Sequence, residues 1–522
     1  MKQGTIKVVD FDMWMDLSDV KELEGLNGKC DRKYIEDYIH EHVKMRDVEV
    51  SKVELIKDGK YKAPNLMGKM GEMMPPSVCS GLPEFINVEI LHKTGKYQET
   101  IWVWVPLKWN GRFFGCCGGG NRTANISMQA PGTRSVNLPT VLKNGFACAC
   151  SDGANREDEF FGWGVDWEKK ELSQELFQNW IRYSTHNMTV IGKAVTEALT
   201  GEAPVYSYIM GGSGGGRQVL SEAQYYPADY DGYWSDAPCV SYNRMLLALS
   251  WPYVVMNTYK DTLSFSKFEA FQELAFEKTG GKEAFYNRQE AVECDPYEIV
   301  GKETEDGPIT ELDAKVMKLI WEGPQTEDGD FLWYGMRPGV DGWSGGFAYS
   351  AVRKTEQGWI PVHFPLNDEF IKNWIMKDPD YDTSKIDIKE YSRLHIKCQE
   401  LFSDMDTDSP DLRELRDLGG KMILCHGVDD DAIYVDGTVS YYDRIVNLFG
   451  SREAAKEVAR LLIVPGDGHC VYSKYGAGPS IATAVEALMH WVEDGKAPES
   501  IHGQRFDLKN MCGAEEKDTP IL

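Results

Sequence analysis

The stretch VYSYIMGGSGGGRQVLSEAQYY, residues 205–226, decides the fold. It joins a short apolar run to a sequence of helical character through a turn in which five glycines surround Ser213. A serine on so tight a turn needs neighbours without side chains, because the backbone enters a strained conformation that exposes the hydroxyl. The pattern Gly211-x-Ser213-x-Gly215 therefore predicts a strand, a turn and a helix, with Ser213 as the candidate nucleophile.

Glycine-rich turns after strands also bind phosphates, so this pentapeptide alone is a weak signal. Neither glycine cluster of the chain fits the dinucleotide pattern GxGxxG, and no GxxxxGK[ST] is present. The sequence therefore disfavours a nucleotide site at this turn.

Further short apolar runs end at glycines or acidic residues on both sides of this stretch. They occupy residues 99–107, 112–120, 145–153, 231–238, 421–430 and 460–468. Runs of this kind suit strands that are buried on both faces of a parallel sheet. Helical apolar spacing lies between them, closed by Gly201 in one case and by Gly495 in another. We therefore predict an α/β fold with a mainly parallel sheet.

The alternation of strands and helices stops near Cys239 and resumes near Gly419. We predict a catalytic domain made of residues 1–240 and 416–522, in which residues 1–80 are an N-terminal extension packed on the domain. Residues 241–415 are predicted to be a lid inserted between two strands. Its tryptophans form either a small second core, an aromatic wall over a substrate pocket, or both. They are Trp251, Trp321, Trp333, Trp343, Trp359 and Trp374.

Two later strand ends supply partners for Ser213. A serine hydroxyl needs a base to take its proton and a carboxylate to orient that base. The run KMILCHGVDDDAI ends in three aspartates, and RLLIVPGDGHC places His469 after the next strand. The order serine, aspartate near 430, histidine is that of α/β-hydrolases, and the ends of parallel strands meet at one edge.

The residues around this predicted triad have simpler interpretations as well. His469 could be a surface turn histidine, and His426 is expected to make a backbone hydrogen bond at a strand end. Asp429 and Asp431 are expected to be solvated loop charges or turn formers. Charge alone does not choose among the three aspartates.

The oxyanion formed by attack on an ester carbonyl must be met by aimed N–H donors. Gly214, directly after the nucleophile, supplies one of them. The loop CGGGN, residues 117–121, resembles the HGGG-type loop that supplies the second donor, and Gly119 and Gly120 are our candidates. Gly118 stays open as an alternative donor, and the whole loop could instead be a flexible turn.

Composition excludes several kinds of partner. Asp and Glu number 82 against 56 Lys and Arg, which gives a formal net charge of −26. Such a surface repels phosphate backbones and anionic lipid headgroups, so neither nucleic acid nor a membrane is expected as a partner. Aspartates interrupt every apolar run of the first thirty residues, which predicts no signal peptide and a cytoplasmic location. The sequence does not indicate an oligomeric state.

In these motifs the chain resembles the tannase and feruloyl esterase family of α/β-hydrolases. The matching stretches are residues 109–121, 186–195, 206–232, 409–433 and 464–470. The resemblance implies hydrolysis of small-molecule esters of aromatic acids, such as gallate or hydroxycinnamate esters, through an acyl-enzyme and without an organic cofactor. The family pattern HGxxDxxI begins at His426 and ends at Ile433, which makes Asp430 the acid of the triad.

Two departures from the family pattern matter. Members commonly carry a cysteine just before the nucleophile, in a disulfide with the cysteine after the catalytic histidine. Here Cys470 follows His469 but Gly212 precedes Ser213, so this bridge cannot form. Many relatives also bind calcium in the lid through closely repeated acids. Residues 292–310 keep acids without that repeat, so no metal is expected.

Three alternatives stay open at this stage. The same triad would serve a hydrolase of simple esters or a peptidase. Outside catalysis, the chain could be an inactive relative that binds phenolic ligands in its lid cleft.

Overall fold

The computed structural model describes residues 1–10, 12–26, 28–66, 78–124, 126, 134, 136–155, 161–342, 351–470, 475–507 and 512–522. Trp343 of the predicted lid lies outside these residues.

A nine-stranded sheet forms the centre of the molecule. Its strands are β1 (Val48–Ile56), β2 (Phe85–Thr94), β3 (Tyr97–Pro106), β4 (Arg112–Cys116), β5 (Ala147–Ser151), β6 (Tyr206–Gly212), β7 (Gly232–Asp236), β8 (Lys421–Gly427) and β9 (Ala459–Val464). Their order across the sheet is β9-β8-β7-β6-β4-β5-β3-β2-β1. The six strands from β9 to β5 are mutually parallel, and the other three pair antiparallel.

Every apolar run singled out in the sequence overlaps one of these strands, which confirms the predicted α/β class. Burial explains the success, because β5 and β7 are buried at every position. β1 was not predicted, since its solvent-facing positions break the apolar run. This strand makes the N-terminal extension part of the central sheet rather than a layer added to it.

Helices cover both faces of the sheet and complete a three-layer architecture. The flanking helices are α1 (Arg32–His42), α2 (Leu138–Lys143), α3 (Ser184–Thr200), α4 (Gly214–Tyr225), α5 (Asp436–Phe449) and α6 (Ile481–Asp494). One face packs against α1, α3, α4 and α5, and the other packs against α2 and α6. Gly201 and Gly495 end α3 and α6 in left-handed conformations, as predicted.

The segment between β7 and β8 is mostly helical. Its α-helices are Tyr242–Ala248, Trp251–Tyr259, Phe265–Lys278, Lys282–Phe285, Glu311–Glu322, Pro365–Glu369, Ile388–Phe402 and Arg413–Asp417. A π-helical turn covers Phe370–Met376, and 3₁₀ turns cover Pro296–Ile299, Thr383–Lys385 and Ser403–Met405. The hydrophobic core of this segment also takes in side chains from residues 161–181, which precede α3. The inserted segment therefore shares its core with a second, earlier piece of the chain.

The remaining regular elements are short. Two-stranded ribbons join Thr5–Asp10 to Met13–Asp16, Tyr61–Lys62 to Val78–Cys79, Val165–Asp166 to Glu171–Leu172, Val352–Thr355 to Gly358–Pro361, and Ser500–Asp507 to Cys512–Pro520. Short helices occupy Gln174–Gln178, Asn179–Tyr183 and Arg452–Ala455. Across the described ranges, each helix is too short or too polar to cross a membrane.

Candidate active site

Ser213 lies on the turn between β6 and α4, with φ +60° and ψ −123°. This left-handed backbone is strained for a residue with a side chain. The glycines around it are required by close packing, since a Cβ on Gly214 or Gly215 would collide with the carbonyl of Gly120 or Gly118. The turn predicted from the glycine pattern is therefore present, and it leaves Ser213 partly exposed.

Backbone hydrogen bonds hold this strained turn against the neighbouring strand end. The N–H of Ser213 donates to the carbonyl of Asp236 at 2.9 Å. The carbonyl of Ser213 accepts from the N–H groups of Arg217 at 3.1 Å and Cys239 at 3.3 Å. The position of the serine is thus fixed by the end of β7 as well as by its own helix.

Asp430 and His469 form a buried pair at the ends of β8 and β9. Nδ1 of His469 donates to Oδ2 of Asp430 at 2.8 Å, and the two residues are 3% and 2% exposed. Oδ1 of Asp430 accepts from the N–H groups of Ala432 and Ile433, both at 2.8 Å. Asp430 is therefore the carboxylate that the structure brings to His469.

Asp430 and His469 each stabilise the charged form of the other. Burial alone would raise the pKa of Asp430, but His469 and His426 hold it well below its usual range. Burial alone would likewise lower the pKa of His469, but the Asp430 carboxylate outweighs this effect and raises it. The arrangement fixes the proton on Nδ1 and leaves Nε2 as the nitrogen that can act as a base.

His426 contacts the same carboxylate, which the sequence did not predict. Its Nε2 lies 2.8 Å from the carbonyl of Ile433, which confirms the expected backbone hydrogen bond, and 3.1 Å from Oδ2 of Asp430. Since only an N–H can bond a carbonyl, Nε2 donates and Nδ1 accepts from the Thr438 hydroxyl at 2.8 Å. His426 lies at the end of β8 and Asp430 in the turn after it, so their spacing in the sequence gave no signal of this contact.

The expectation of solvated charges at Asp429 and Asp431 is wrong. They are 4% and 5% exposed. Oδ1 of Asp429 accepts from Nη2 of Arg288, a residue of the inserted segment, at 3.2 Å. These aspartates are buried because the inserted segment covers the end of β8. A local sequence pattern cannot predict this contact between distant parts of the chain.

The N–H groups of the three glycines in the candidate oxyanion loop differ in their hydrogen-bond partners. Gly118 donates to Oε1 of Gln218 at 3.0 Å. Gly119 donates to the carbonyl of Arg122 at 3.1 Å, so its prediction as an oxyanion donor is corrected: its N–H closes a tight turn. The Gly120 N–H has no acceptor within the described ranges, and Gly120 packs directly on Gly214. Gly120 and Gly214 stay the candidate pair of donors.

Two thiols border the turn of Ser213. Cys239 donates its backbone N–H to the carbonyl of Ser213 at 3.3 Å, and Sγ of Cys470 lies 3.9 Å from Nε2 of His469. Burial raises the pKa of both thiols, so they are protonated at neutral pH. The cysteines that the structure describes are free.

The turns that carry Ser213 and His469 meet at Gly212. A Cβ built on Gly212 would lie 3.5 Å from Cβ of Cys470 and 2.7 Å from its Sγ. Disulfides have Cβ separations of about 3.5 to 4.5 Å. Position 212 and Cys470 are therefore in bridging range, as expected for a serine and a histidine that act together.

We expect Gly212→Cys to form a disulfide with Cys470 under oxidising conditions. Gly212 has no positive φ, so a side chain fits its backbone. Closing so long a loop could add at most about 5 kcal/mol to the free energy of unfolding, less any strain. Non-reducing peptide mapping and Tm with and without reductant measure this outcome.

Gly212→Ser is the matched control, because it has similar size but cannot form a bridge. A folded Gly212→Cys variant that shows no cross-link after oxidation would contradict the proximity of the two turns.

Three acids of residues 292–310 contact other groups of the protein. Asp295 accepts from the backbone N–H of Tyr297, and Glu298 pairs with Lys278 at 2.6 Å. Asp306 accepts from the hydroxyl of Ser266 at 2.8 Å. These three acids contact separate protein partners rather than one common centre, and the expected lack of a metal stays a prediction. That no cofactor is needed stays a prediction.

Within the described ranges, one group of side chains has the spacing of metal ligands: His186, Glu222 and Asp229. The Lys193 ammonium already donates to the carbonyl of Asp229 in this cluster. His186 also donates to Asp229 at 2.7 Å if it is protonated on Nδ1. The Lys193 ammonium therefore already supplies a positive charge beside this cluster, and we do not assign a metal to the cluster.

Comparison with known proteins finds similarity over most of the chain. A family model described as "Tannase and feruloyl esterase" matches residues 89–511. A probable feruloyl esterase from Arthroderma benhamiae is 31% identical over 458 residues, which covers 83% of this chain and 81% of that protein. A probable feruloyl esterase B from Aspergillus clavatus is 25% identical, with 78% of this chain and 76% of that protein covered.

Solved structures share the fold. An esterase from Aspergillus oryzae superposes with a TM-score of 0.77 at 20% identity, covering 95% of this chain and 96% of its own. The tannin acyl hydrolase from Aspergillus niger gives 0.76 at 19% identity, with 96% and 93% covered. These similarities confirm the predicted α/β-hydrolase fold.

Proposed function

Because the chain belongs to the tannase and feruloyl esterase family, it is a carboxylic ester hydrolase, and we propose that it cleaves esters of phenolic acids through an acyl-enzyme on Ser213. One observation carries the proposal. A strained, partly exposed serine and a buried histidine–aspartate pair lie on adjoining turns at one edge of a parallel sheet.

The first half of the proposed reaction transfers the acyl group. The Ser213 oxygen attacks the ester carbonyl while Nε2 of His469 takes its proton, and Asp430 stabilises the imidazolium. The N–H groups of Gly214 and Gly120 donate to the oxyanion. His469 then gives its proton to the departing alcohol as the bond to the acyl carbon breaks.

The second half releases the acid. A water molecule gives a proton to Nε2 of His469 and attacks the acyl carbon, and the Gly214 and Gly120 donors again meet the oxyanion. Collapse of this intermediate returns the electron pair to Ser213, which recovers the proton from His469. No cofactor takes part in these steps.

The names of the relatives support phenolic acyl groups, and gallate and hydroxycinnamate esters are the two classes to separate. The test compares kcat/KM for methyl gallate, methyl ferulate, chlorogenate and methyl acetate, with a serine-directed phosphonate as inhibitor. At least one phenolic class is expected to exceed the acetyl ester in kcat/KM by about tenfold or more, since burying an aromatic ring contributes a few kcal/mol.

Other outcomes of the same panel would overturn the proposal. A preference for the acetyl ester would indicate a hydrolase of simple esters, and cleavage of peptides instead would indicate a peptidase. No turnover, together with no phosphonate labelling of Ser213, would indicate an inactive relative that only binds phenolic ligands.

We expect kcat/KM to fall on the acid side with an apparent pKa above about 6.5, the ordinary value for histidine. The Asp430 carboxylate raises the pKa of His469 against the effect of burial. Protonated His469 cannot accept the serine proton, so activity is lost as the pH falls through that raised value. A pH profile with methyl ferulate measures this limb, and an apparent pKa below about 6 would contradict the proposed role of the pair.

A further inference from the structure

Three ionisable side chains lie fully buried next to the proposed triad. Nε of Arg134 donates to Oδ2 of Asp236 at 2.7 Å, and its Nη1 donates to Oδ2 of Asp467 at 2.7 Å. All three side chains are 0% exposed. Moving two carboxyl groups and a guanidinium out of water costs desolvation free energy, which good hydrogen bonds between them only partly offset. A role beyond stability would explain why the three groups are buried together.

Each partner of Arg134 contacts or belongs to a turn that carries a residue of the proposed triad. Asp236 accepts the N–H of Ser213 on its backbone carbonyl. Asp467 lies two residues before His469, and the backbone N–H of Arg134 donates to the carbonyl of Cys470 at 2.9 Å. One residue therefore contacts the strand end that supports the nucleophile and both sides of the histidine.

Asp467 also connects this group to the acid of the triad. Its backbone carbonyl accepts the N–H of Asp429, the residue before Asp430, at 2.9 Å. Burial raises the pKa of Asp467 to about 7, and Arg134 opposes that rise. The turn that carries His469 is thus tied to the neighbouring turns through Arg134 and the main chain, in addition to the bond from His469 to Asp430.

We propose that Arg134 is a positioning residue, which holds the His469 turn against the Ser213 turn where position 212 offers no thiol for a covalent bridge. The inference rests on the proposed function, because it assigns Arg134 a role in aligning that nucleophile and base. The proposed positioning role of Arg134 differs from a general structural role in one respect. Loss of Arg134 should lower the turnover of each correctly folded molecule rather than only the number of folded molecules.

The first experiment compares Arg134→Lys with Arg112→Lys. Arg112 is a matched control, because its buried guanidinium also contacts a carboxylate, that of Glu493, at 2.6 Å, but at the opposite end of the sheet. Lysine keeps the charge and loses the fork that reaches two carboxylates. The readouts are kcat per active site, titrated with a phosphonate, together with KM and Tm.

Arg134→Lys is expected to lower kcat per titrated site by about 10²-fold with little change in KM, since a shift of about 1 Å between reacting groups has that effect. Arg112→Lys is expected to lower Tm but to keep kcat per site within about twofold. If Arg134→Lys does not fold, Asp467→Asn replaces it, because it keeps the volume and removes one ionic contact. A fall of about tenfold is then expected.

The second experiment asks whether a covalent bond can replace Arg134. In the double variant Gly212→Cys, Arg134→Lys, oxidation should close the bridge from position 212 to Cys470. It should restore kcat at least about tenfold over the reduced form. The single variant Gly212→Cys is the reference, in which oxidation should change kcat by less than about threefold. A further readout does not depend on activity. At a fixed thiol–disulfide ratio, the double variant Gly212→Cys, Arg134→Lys should have a smaller bridged fraction than the single variant Gly212→Cys.

The outcomes separate this inference from the proposed function. Unchanged kcat per site in both Arg134→Lys and Asp467→Asn would overturn the positioning role, as would a bridged fraction that does not depend on Arg134. Neither result would affect the proposed triad. Substantial activity in a folded Ser213→Ala variant would instead remove the proposed function, and the bridging measurement would still report whether Arg134 holds the two turns together.

Discussion

Replacing Ser213 with alanine is expected to lower kcat for a phenolic ester by about 10⁵- to 10⁶-fold while the protein stays folded. The reason is that no other group on this turn can form the acyl-enzyme. Burial keeps the Cys239 and Cys470 thiols protonated, so neither is an effective substitute nucleophile. The measurement is steady-state turnover of methyl ferulate or methyl gallate, together with Tm and phosphonate labelling.

The backbone of Ser213 supplies a matched control for this experiment. Alanine keeps a Cβ at φ +60°, so the strain of the turn stays and Tm should change little. Ser213→Gly should be equally inactive but more stable by about 1 to 3 kcal/mol, because glycine adopts this conformation freely. If folded Ser213→Ala retains more than a tenth of the wild-type turnover, Ser213 is not the nucleophile.

The features that sequence predicted are those set by local constraints. The turn at Ser213 could be predicted because tight packing requires glycines at fixed positions, and these stand next to each other in the chain. The buried parallel strands could be predicted because burial on both faces leaves an uninterrupted apolar run. The order serine, aspartate, histidine followed from which strands end in polar residues, whereas the choice of Asp430 among three aspartates came from the resemblance to the family pattern.

The features that sequence missed depend on contacts between distant parts of the chain. Arg134 meets partners 102 and 333 residues away, and no local pattern indicates either. Asp429 was expected in solvent because the cover that buries it comes from Arg288, 141 residues earlier. Gly119 was a candidate donor because the sequence does not show that its N–H is used by Arg122.

Asp430→Asn is expected to lower kcat by about 10⁴-fold, the second largest effect in this site. Oδ1 of Asp430 accepts two backbone N–H groups, so the amide nitrogen of asparagine must take the place of Oδ2. That nitrogen donates, and it can pair with His469 only if Nδ1 becomes an acceptor. The proton then lies on Nε2, and His469 can no longer take the proton of Ser213. The rate at which a phosphonate phosphonylates Ser213 and the rate of ester turnover should fall together.

The neighbouring aspartates test whether this effect belongs to one carboxylate. Asp429→Asn weakens the contact with Arg288 and should lower Tm, yet it leaves the tautomer of His469 unchanged, so kcat should fall by less than about tenfold. Asp431→Asn should also lie within about tenfold, because its side chain is not the one bonded to Nδ1 of His469. His426 donates to the same Oδ2, and its own substitution by glutamine should cost kcat less than Asp430→Asn does, since the bond from Asp430 to His469 stays. Equal losses at all three aspartates would mean that the charge of the whole turn, rather than a hydrogen bond to one carboxylate, sets the basicity of His469.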